Sequence, residues 1–461
     1  MRRYLINSGR KNEQGLIITL VAIFMLGVVG AMAALAIDVV TLYTARSEAQ
    51  LAADGAALAG ARVLANSGMT SDPNAVGDGL RDNAITLATA VATQVAASNQ
   101  VGGRTLSPTA GSPCSAGEIC VTINTGLTNF LANPRVTVTV QRSDLPTFFA
   151  RIWGTTQLAV KATATAEGYN PSTLGGTGAN EPAVAPICVK PWILPNLDPS
   201  STPTPGANPI FNANGSINTT TLLGWETQSQ TTPSAAPAGT YLSVACPGGD
   251  CSVGLPAPKP WLYYPGDPGV FTPPAASSAT CSPTTAGFTP TPYQLSIAGC
   301  MQAPISCNQS VLIDTTNYPT RDSEAASAVN CLAHATGNKA DRMDETTYAK
   351  PYYPFEFLAG GDAPLVGAGV ITEGKDIAVS DSVVTVPVFN LLTNPATIIG
   401  FVQLFLNPEG RHVHMTGVQA YQIHTMVINM VGCGTSASTT STSYGNGPSA
   451  VPVRLITPPL P

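Results

Sequence analysis

The feature that most constrains this chain is a run of 23 positions, Gly15 to Ile37, with no charged side chain and dominated by Leu, Ile, Val, Ala, Met, Phe and Gly. As a helix rising about 1.5 Å per residue it covers roughly 35 Å, enough to cross a hydrocarbon core of about 30 Å with a modest tilt. Arg2, Arg3, Arg10 and Lys11 precede the run with only Glu13 opposing them, and Asp38 follows it. The bias of basic residues toward the cytoplasmic side predicts that the N-terminus stays in the cytoplasm and that the chain from Asp38 onward lies outside it. A cleaved signal peptide is the main rival, because Ala31, Ala33, Ala34 and Ala36 resemble a peptidase site. The run is longer than the roughly 7 to 15 apolar residues of a signal sequence, however, and the helical pattern continues through that site. A buried core helix would need apolar partners on every side and leaves the flanking charge asymmetry without a cause.

Beyond the run the composition is that of a loop-rich, weakly charged chain, with 43 Gly and 40 Pro among 461 residues and only 10% charged side chains. The net charge is -6 with no long Lys/Arg run, so no nucleic-acid partner is expected. All ten cysteines follow the apolar run, the distribution expected if disulfides form in an oxidising compartment. Cys114 with Cys120, and Cys246 with Cys251, are natural small-loop candidates, while sequence alone leaves the connectivity open. No C-x-x-C pair is present, which argues against a zinc site.

After Asp38 the chain contains no proline up to Ala65 and many strong helix formers, so the membrane helix is expected to run on to about Ala65. Leu42, Ala49, Ala56 and Val63 recur every seven residues with Ala45, Ala52 and Ala59 between them, a narrow seam that lets another helix approach closely. Two partners fit equally well: the chain's own next helix, expected within Val76 to Ala97 with Leu80, Leu87, Val91 and Val95 on compatible spacings, or a separate protein.

Farther on, three segments alternate in the manner of half-buried strands: Ile119, Val121 and Ile123; Val136, Val138 and Val140; Leu158, Val160, Ala162 and Ala164. Asp144 and Pro146 read as a helix start and Gly154 as its stop, with Phe148, Phe149, Ile152 and Trp153 on one face, so an aromatic helix packed into the core of this small sheet is expected. Pro, Gly, Ser and Thr dominate residues 170–208, apart from an apolar island at Ile187 to Leu194. A helix at Ser323 to His334 is expected next, then strands at Val383 to Phe389, Thr397 to Leu406 and Val418 to Val431. Thr397 to Leu406 is apolar on both faces and should be central. The predicted fold class is α+β: a long N-terminal transmembrane helix continuing into an Ala-rich helix, followed by β-rich, loop-rich extracytoplasmic domains. The expected divisions are a basic tail (1–14), the span (15–37), the Ala-rich helix (38–66), an α/β unit (67–169), a linker (170–208) and a Pro-rich β body (209–461).

Familiar catalytic strings are missing: there is no G-x-S-x-G elbow, no phosphate-binding loop and no H-E-x-x-H helix. His412 and His414 would share a face if their segment were a strand, with His424 ten residues on, but surface histidines on a sheet are the commoner case. No catalytic residue, cofactor or metal site is expected.

The N-terminal residues also resemble a known family. NEQG before the apolar run, with Glu13 and Gly15 at the membrane entrance, then LAIDVVTLYTARSEAQLAADGAALAGA, with Asp38 at the exit, Tyr43 and Arg46, and Asp54 in the Ala-rich helix, closely resemble TadE/TadG-like proteins of Flp (tight-adherence) pilus assembly. VTVTVQRSDLPTFFARIWGTTQLAVKATATA is similar, more weakly, to the extracytoplasmic part of TadG-like proteins. Two departures stand out. Some members carry a prepilin-type Gly with Glu at the fifth mature position, whereas here Glu13 is the fourth residue after Gly9; others carry a von Willebrand factor A domain with Asp-x-Ser-x-Ser, for which the nearest string is DIAVSDS at Asp376 to Ser382. The resemblance implies a membrane-anchored, non-catalytic role in assembling or anchoring such pili, with the cytoplasmic membrane and pilus-assembly or envelope proteins as partners through the Ala-rich helix. The alternative is a minor pilin or adhesin released by processing.

Overall fold

The computed structural model describes residues 11–72, 79–108, 117–127, 130–170, 184–196, 209–212, 215–218, 226–229, 261–265, 291–302, 304–311, 322–344, 354–390, 395–417, 420–433, 443–444 and 449–456, with single positions 75, 223, 281 and 288 between them. Helix and sheet are mixed. One helix, α1 (Lys11–Asn66), runs without a break for 56 residues. Its lower half is bare, with the large apolar side chains of the 15–37 run exposed from Leu16 to Ile37. Its upper half is the spine of a packed layer, because Ala45, Ala49, Ala52, Ala56 and Val63 are buried while Leu42 and Ala59 are partly covered.

The cover over that seam comes from the chain itself. Helix α2 (Leu80–Ser98) turns back along α1 and contributes Leu80, Leu87 and Val91 to the same core, with Val95 partly buried against it. Beneath both lies an antiparallel sheet of β1 (Ile119–Ile123), β2 (Arg135–Pro146) and β3 (Gln157–Gly168). Val136, Val138 and Val140 point into the alanines, while on the other face the hydroxyls of Thr137 and Thr139 bond those of Thr165 and Thr163 at 2.9 and 3.0 Å. The close approach is visible at Gly60, where an added Cβ would lie 3.0 Å from Val136 Cγ1 and 3.2 Å from the Ala92 Cβ. A larger residue in the seam therefore has nowhere to go. Ala56→Leu is expected to cost about 1–3 kcal/mol through overpacking, whereas Leu51→Ala, at an exposed position of the same helix, stays within about 0.5 kcal/mol; urea midpoints of the full chain in mild detergent measure both.

A fourth strand completes this sheet from the far end of the sequence. Val453–Ile456 pairs antiparallel with β3, and buried Glu167 of β3 accepts from Arg135 Nε at 3.2 Å on one side and Arg454 Nε at 2.9 Å on the other. The block 209–461 is therefore not a separate unit: its last strand belongs to the N-terminal sheet. The block 170–208 is likewise not linker throughout, since β4 (Trp192–Pro195) enters the second sheet with Trp192, Ile193 and Leu194 fully buried. An isolated apolar island among prolines reads as a connection until the sheet that receives it is known.

The second sheet closes on itself. Strands β5 (Glu226–Ser229), β6 (Trp261–Pro265), β7 (Val383–Asn390), β8 (Ala396–Leu406) and β9 (His424–Gly432) join β4 in the order β8-β7-β4-β6-β5-β9, and β9 pairs back with β8. Ser310–Val311 pairs in addition with the start of β8. The double-sided apolar pattern of β8 thus corresponds to its central place between β7 and β9. Helix α3 (Pro292–Ala298) begins with a capping box between Thr291 and Gln294, and α4 (Asp322–Leu332) packs its Ala325, Ala328 and Val329 into the barrel core. Three disulfides, Cys188–Cys300, Cys281–Cys331 and Cys307–Cys433, stitch these segments together.

The two cores meet at a buried polar knot. Asn429 of β9 donates to the Ala65 carbonyl at 2.6 Å and to Gln403 Oε1 at 3.1 Å, and its oxygen accepts from Ser71 Oγ and from Thr70 Oγ1 at 3.4 Å. Asn170 Nδ2 donates to the Met430 carbonyl at 2.9 Å. Each of these side chains is fully buried, so the knot fixes the end of the spine helix against the barrel by polar groups that have no water to fall back on.

Candidate functional site at the membrane end of the body

Asp38 is the first charged residue after the apolar run, and the folded body grips the helix there. The residue is only 6% exposed. Oδ1 accepts the backbone N–H of Phe148 at 2.8 Å, and Oδ2 accepts those of Phe149 and Ala150, both at 2.9 Å. These amides would otherwise be unpaired donors at the start of the single 3-10 turn Ala150–Trp153. A carboxylate suits that position because it has several acceptor sites and because the positive end of the turn favours an anion. The N–H bonds, that of Phe148 foremost, hold the Asp38 carboxyl below the usual carboxylate range against the opposing effect of burial.

The local sequence explains the loop. Pro146 ends β2, the Thr147 hydroxyl donates to the Thr155 carbonyl at 2.6 Å and closes the segment, and Gly154 at φ 89° takes the left-handed conformation that stops the turn. The expected aromatic helix over 144–154 is thus a strand end followed by one turn. Asp144 does not start a helix. It lies within an irregularity in the β2–β3 register between Arg142 and Leu145, and accepts from Arg142 Nε at 2.7 Å and Arg104 Nη2 at 3.3 Å. Nor does Phe148 enter the core: it is 67% exposed.

The same end of the body carries a second fastening. The hairpin at Gln100–Val101 and Arg104–Thr105 is tied to α1 by the Gly102 amide donating to Glu48 Oε2 at 2.6 Å. Buried Arg142 donates to the Gly102 carbonyl at 2.9 Å and also to that of Val101, while Arg104 pairs with Glu118. The Arg142 bond holds the Asp144 carboxyl below its ordinary range.

Among the residues singled out from sequence, Asp38 alone makes a polar site. The alanine seam is consumed by α2 and the first sheet, so its buried members face no outside partner. Gly15 stands in open space, Glu13 lies in the first turn of α1, and its side chain is outside the described residues. Cys114, Cys246 and Cys251 also fall outside them, and Cys120 is disulfide-bonded. His412 and His414 sit in an irregular segment with ring centroids 4.9 Å apart, and among the described residues no cluster of His, Cys, Asp or Glu is arranged to hold a metal ion. The loop amides that meet Asp38 carry no signal in sequence, because any residue supplies a backbone N–H.

These features define a protein built on one membrane-length apolar helix that continues without a break into a folded body. Residues 16–63 match the Tad family model, Flp pilus-assembly TadE/G-like. The match covers the apolar run, Asp38 and the alanine seam, and stops short of both sheets. No curated protein matches the chain, and no solved structure does.

Proposed function

We propose that this chain is a single-pass bacterial cell-membrane protein, N-terminus in the cytoplasm and body outside it, that assists the assembly or anchoring of Flp-type pili. The observation that carries the proposal is the continuity of α1. Its exposed lower half is long and apolar enough to cross a bilayer, and its upper half belongs to the core of the body, so the body stays at the membrane as long as α1 is uncut. Processing at Ala31 to Ala36 would cut within this helix, which favours a retained anchor over a released pilin. The role is physical: retention in the membrane and presentation of the body. The seam being occupied, pilus or envelope partners would meet the outer surface of the body.

Three measurements on cells test this reading. The full chain is expected to remain in the pellet after alkaline carbonate extraction, a C-terminal reporter to be active only outside the cytoplasm, and a strain lacking the chain to lose surface Flp pili, restored by the full chain but not by one lacking residues 15–37. Normal pili in that strain would sink the assembly role; carbonate extraction of the chain would sink the anchor.

A further inference from the structure

The membrane end of the body exposes something that anchoring by a helix does not require. Three observations bear on it, and all rest on α1 crossing the bilayer. The first is the latch itself. By binding three successive amides, Asp38 pins the 147–156 loop to α1 at the first residue beyond the apolar run. The second is the depth that this sets. Asp38 follows directly on Ile37, the last exposed apolar side chain of the run, so with α1 crossing the bilayer the loop lies at the edge of the hydrocarbon, at the level of the headgroups.

The third observation is what the loop displays. On the loop itself Phe148 is 67% exposed, and Arg151 beside it is exposed as well. Tyr43, 73% exposed, stands on α1 five residues past Asp38. An aromatic ring with an arginine nearby is the pairing that membrane interfaces favour: the ring takes the boundary between acyl chains and headgroups, and the guanidinium meets lipid phosphate.

We propose that the 147–156 loop is a second membrane contact. Phe148 inserts into the interfacial layer of the leaflet on the body's side, Arg151 reaches lipid phosphates, and Asp38 acts as the positioning residue that holds the loop at that depth. The body is then fixed at two points, the helix setting its axis and the loop setting its rotation and tilt about that axis. A partner protein seated on Phe148 is the competing occupant, and the test separates the two.

The experiment uses the full chain in vesicles of phosphatidylethanolamine and phosphatidylglycerol, with a nitroxide attached at one introduced cysteine; no free cysteine competes among the described residues. Labels at Phe148→Cys, at Val29→Cys within the span and at Val379→Cys, exposed on the body, are compared for collision with oxygen, which enters lipid, and with a water-soluble nickel chelate. At position 148 the nickel accessibility is expected to be several-fold below that at 379, with oxygen accessibility retained. Asp38→Ala is expected to raise nickel accessibility at 148 toward the value at 379, leaving the signals at 29 and 379 unchanged, and Asp38→Asn to give an intermediate rise. Equal nickel accessibility at 148 and 379, with 29 shielded, overturns the loop contact while leaving the anchor standing. Shielding at 148 from both reagents assigns the position to protein and also overturns it. Free nickel access at 29 overturns the membrane reading together with the loop. If Asp38→Ala leaves 148 unmoved, the positioning role of Asp38 falls.

Discussion

Replacing Cys307 and Cys433 together by alanine is expected to lower the unfolding free energy of the oxidised chain by about 5 kcal/mol. The bridge spans 126 residues, the longest separation among the three described disulfides, against 112 for Cys188–Cys300 and 50 for Cys281–Cys331. Cross-linking a chain removes conformations from the unfolded state, and that entropy grows with the logarithm of the loop, giving about 5 kcal/mol for a loop of this length and about 4 for the shortest of the three. The native side of the balance is favourable too. Cys433 is buried in the small core with Ile305, Ile398 and Val431, and its amide donates to the Ile399 carbonyl at 2.8 Å, so the bridge joins segments that the barrel already holds close. Total stabilities of about 5–15 kcal/mol are usual, and a loss of this size leaves little in reserve. Urea midpoints of the parent and the double variant in the same detergent measure it; a shift worth less than about 1 kcal/mol would mean that the unfolded chain is not constrained by the bridge.

That bridge was not legible in the sequence, where proximity along the chain is the only guide to pairing and favours short loops. Val136, Val138 and Val140, by contrast, declare their strand because one face is buried and the other is not. The two-faced apolar pattern of residues 397–406 declares a central strand for the opposite reason, both of its faces being covered. The long helix is legible because nothing in residues 15–65 interrupts it. What sequence leaves open is which surfaces meet. Alanine packs equally well on a helix, a sheet or another protein, and only the fold shows that α2 and the valines of β2 fill the seam. The short strand Val453–Ile456 has too few residues to show a period, and its docking depends on Glu167, which lies 287 positions from Arg454. At the membrane end of the body, Asp38 stood out as a charge at the edge of an apolar run, but its partners are backbone amides 110 to 112 residues away.

Between pH 5 and 7 the parent chain is expected to lose about 2–3 kcal/mol of stability through one carboxyl group, and Glu356→Gln to abolish that loss. Glu356 is 9% exposed, lines a narrow crevice with Val63, Asn66, Val91 and Asp376, and has no hydrogen-bond partner for Oε2 among the described residues. Burial first, then a hydrogen bond to Asp376 and the charges of Asp376 and Asp344, push its pKa up to about 8. An unfolded glutamate titrates near 4.3. Across the interval from about 4.3 to 8 the folded chain therefore holds a proton that the unfolded chain has released. Stability is full at the acid end, falls by up to about 1.4 kcal/mol per pH unit as pH rises, and levels off above the folded value. Lys190 works in the opposite sense. Buried where its ammonium donates to the Ile297 and Gly299 carbonyls, it has a pKa lowered to about 7 by burial, so it adds stability only as pH rises beyond that point. Asp341, whose carboxyl burial also raises, acts in the same sense as the glutamate, so the test is the difference between the parent and Glu356→Gln midpoints, which removes every group common to both. Equal slopes in parent and variant would assign the proton elsewhere. The location makes the effect more than a titration. Glu356 sits where Asn66 ends the spine helix, the Phe355 backbone N–H donates to the Ser67 carbonyl at 3.4 Å and the Asn66 side-chain Nδ2 donates to the Ala378 carbonyl at 3.4 Å. Charging this carboxyl therefore acts at the joint between the helical layer and the barrel.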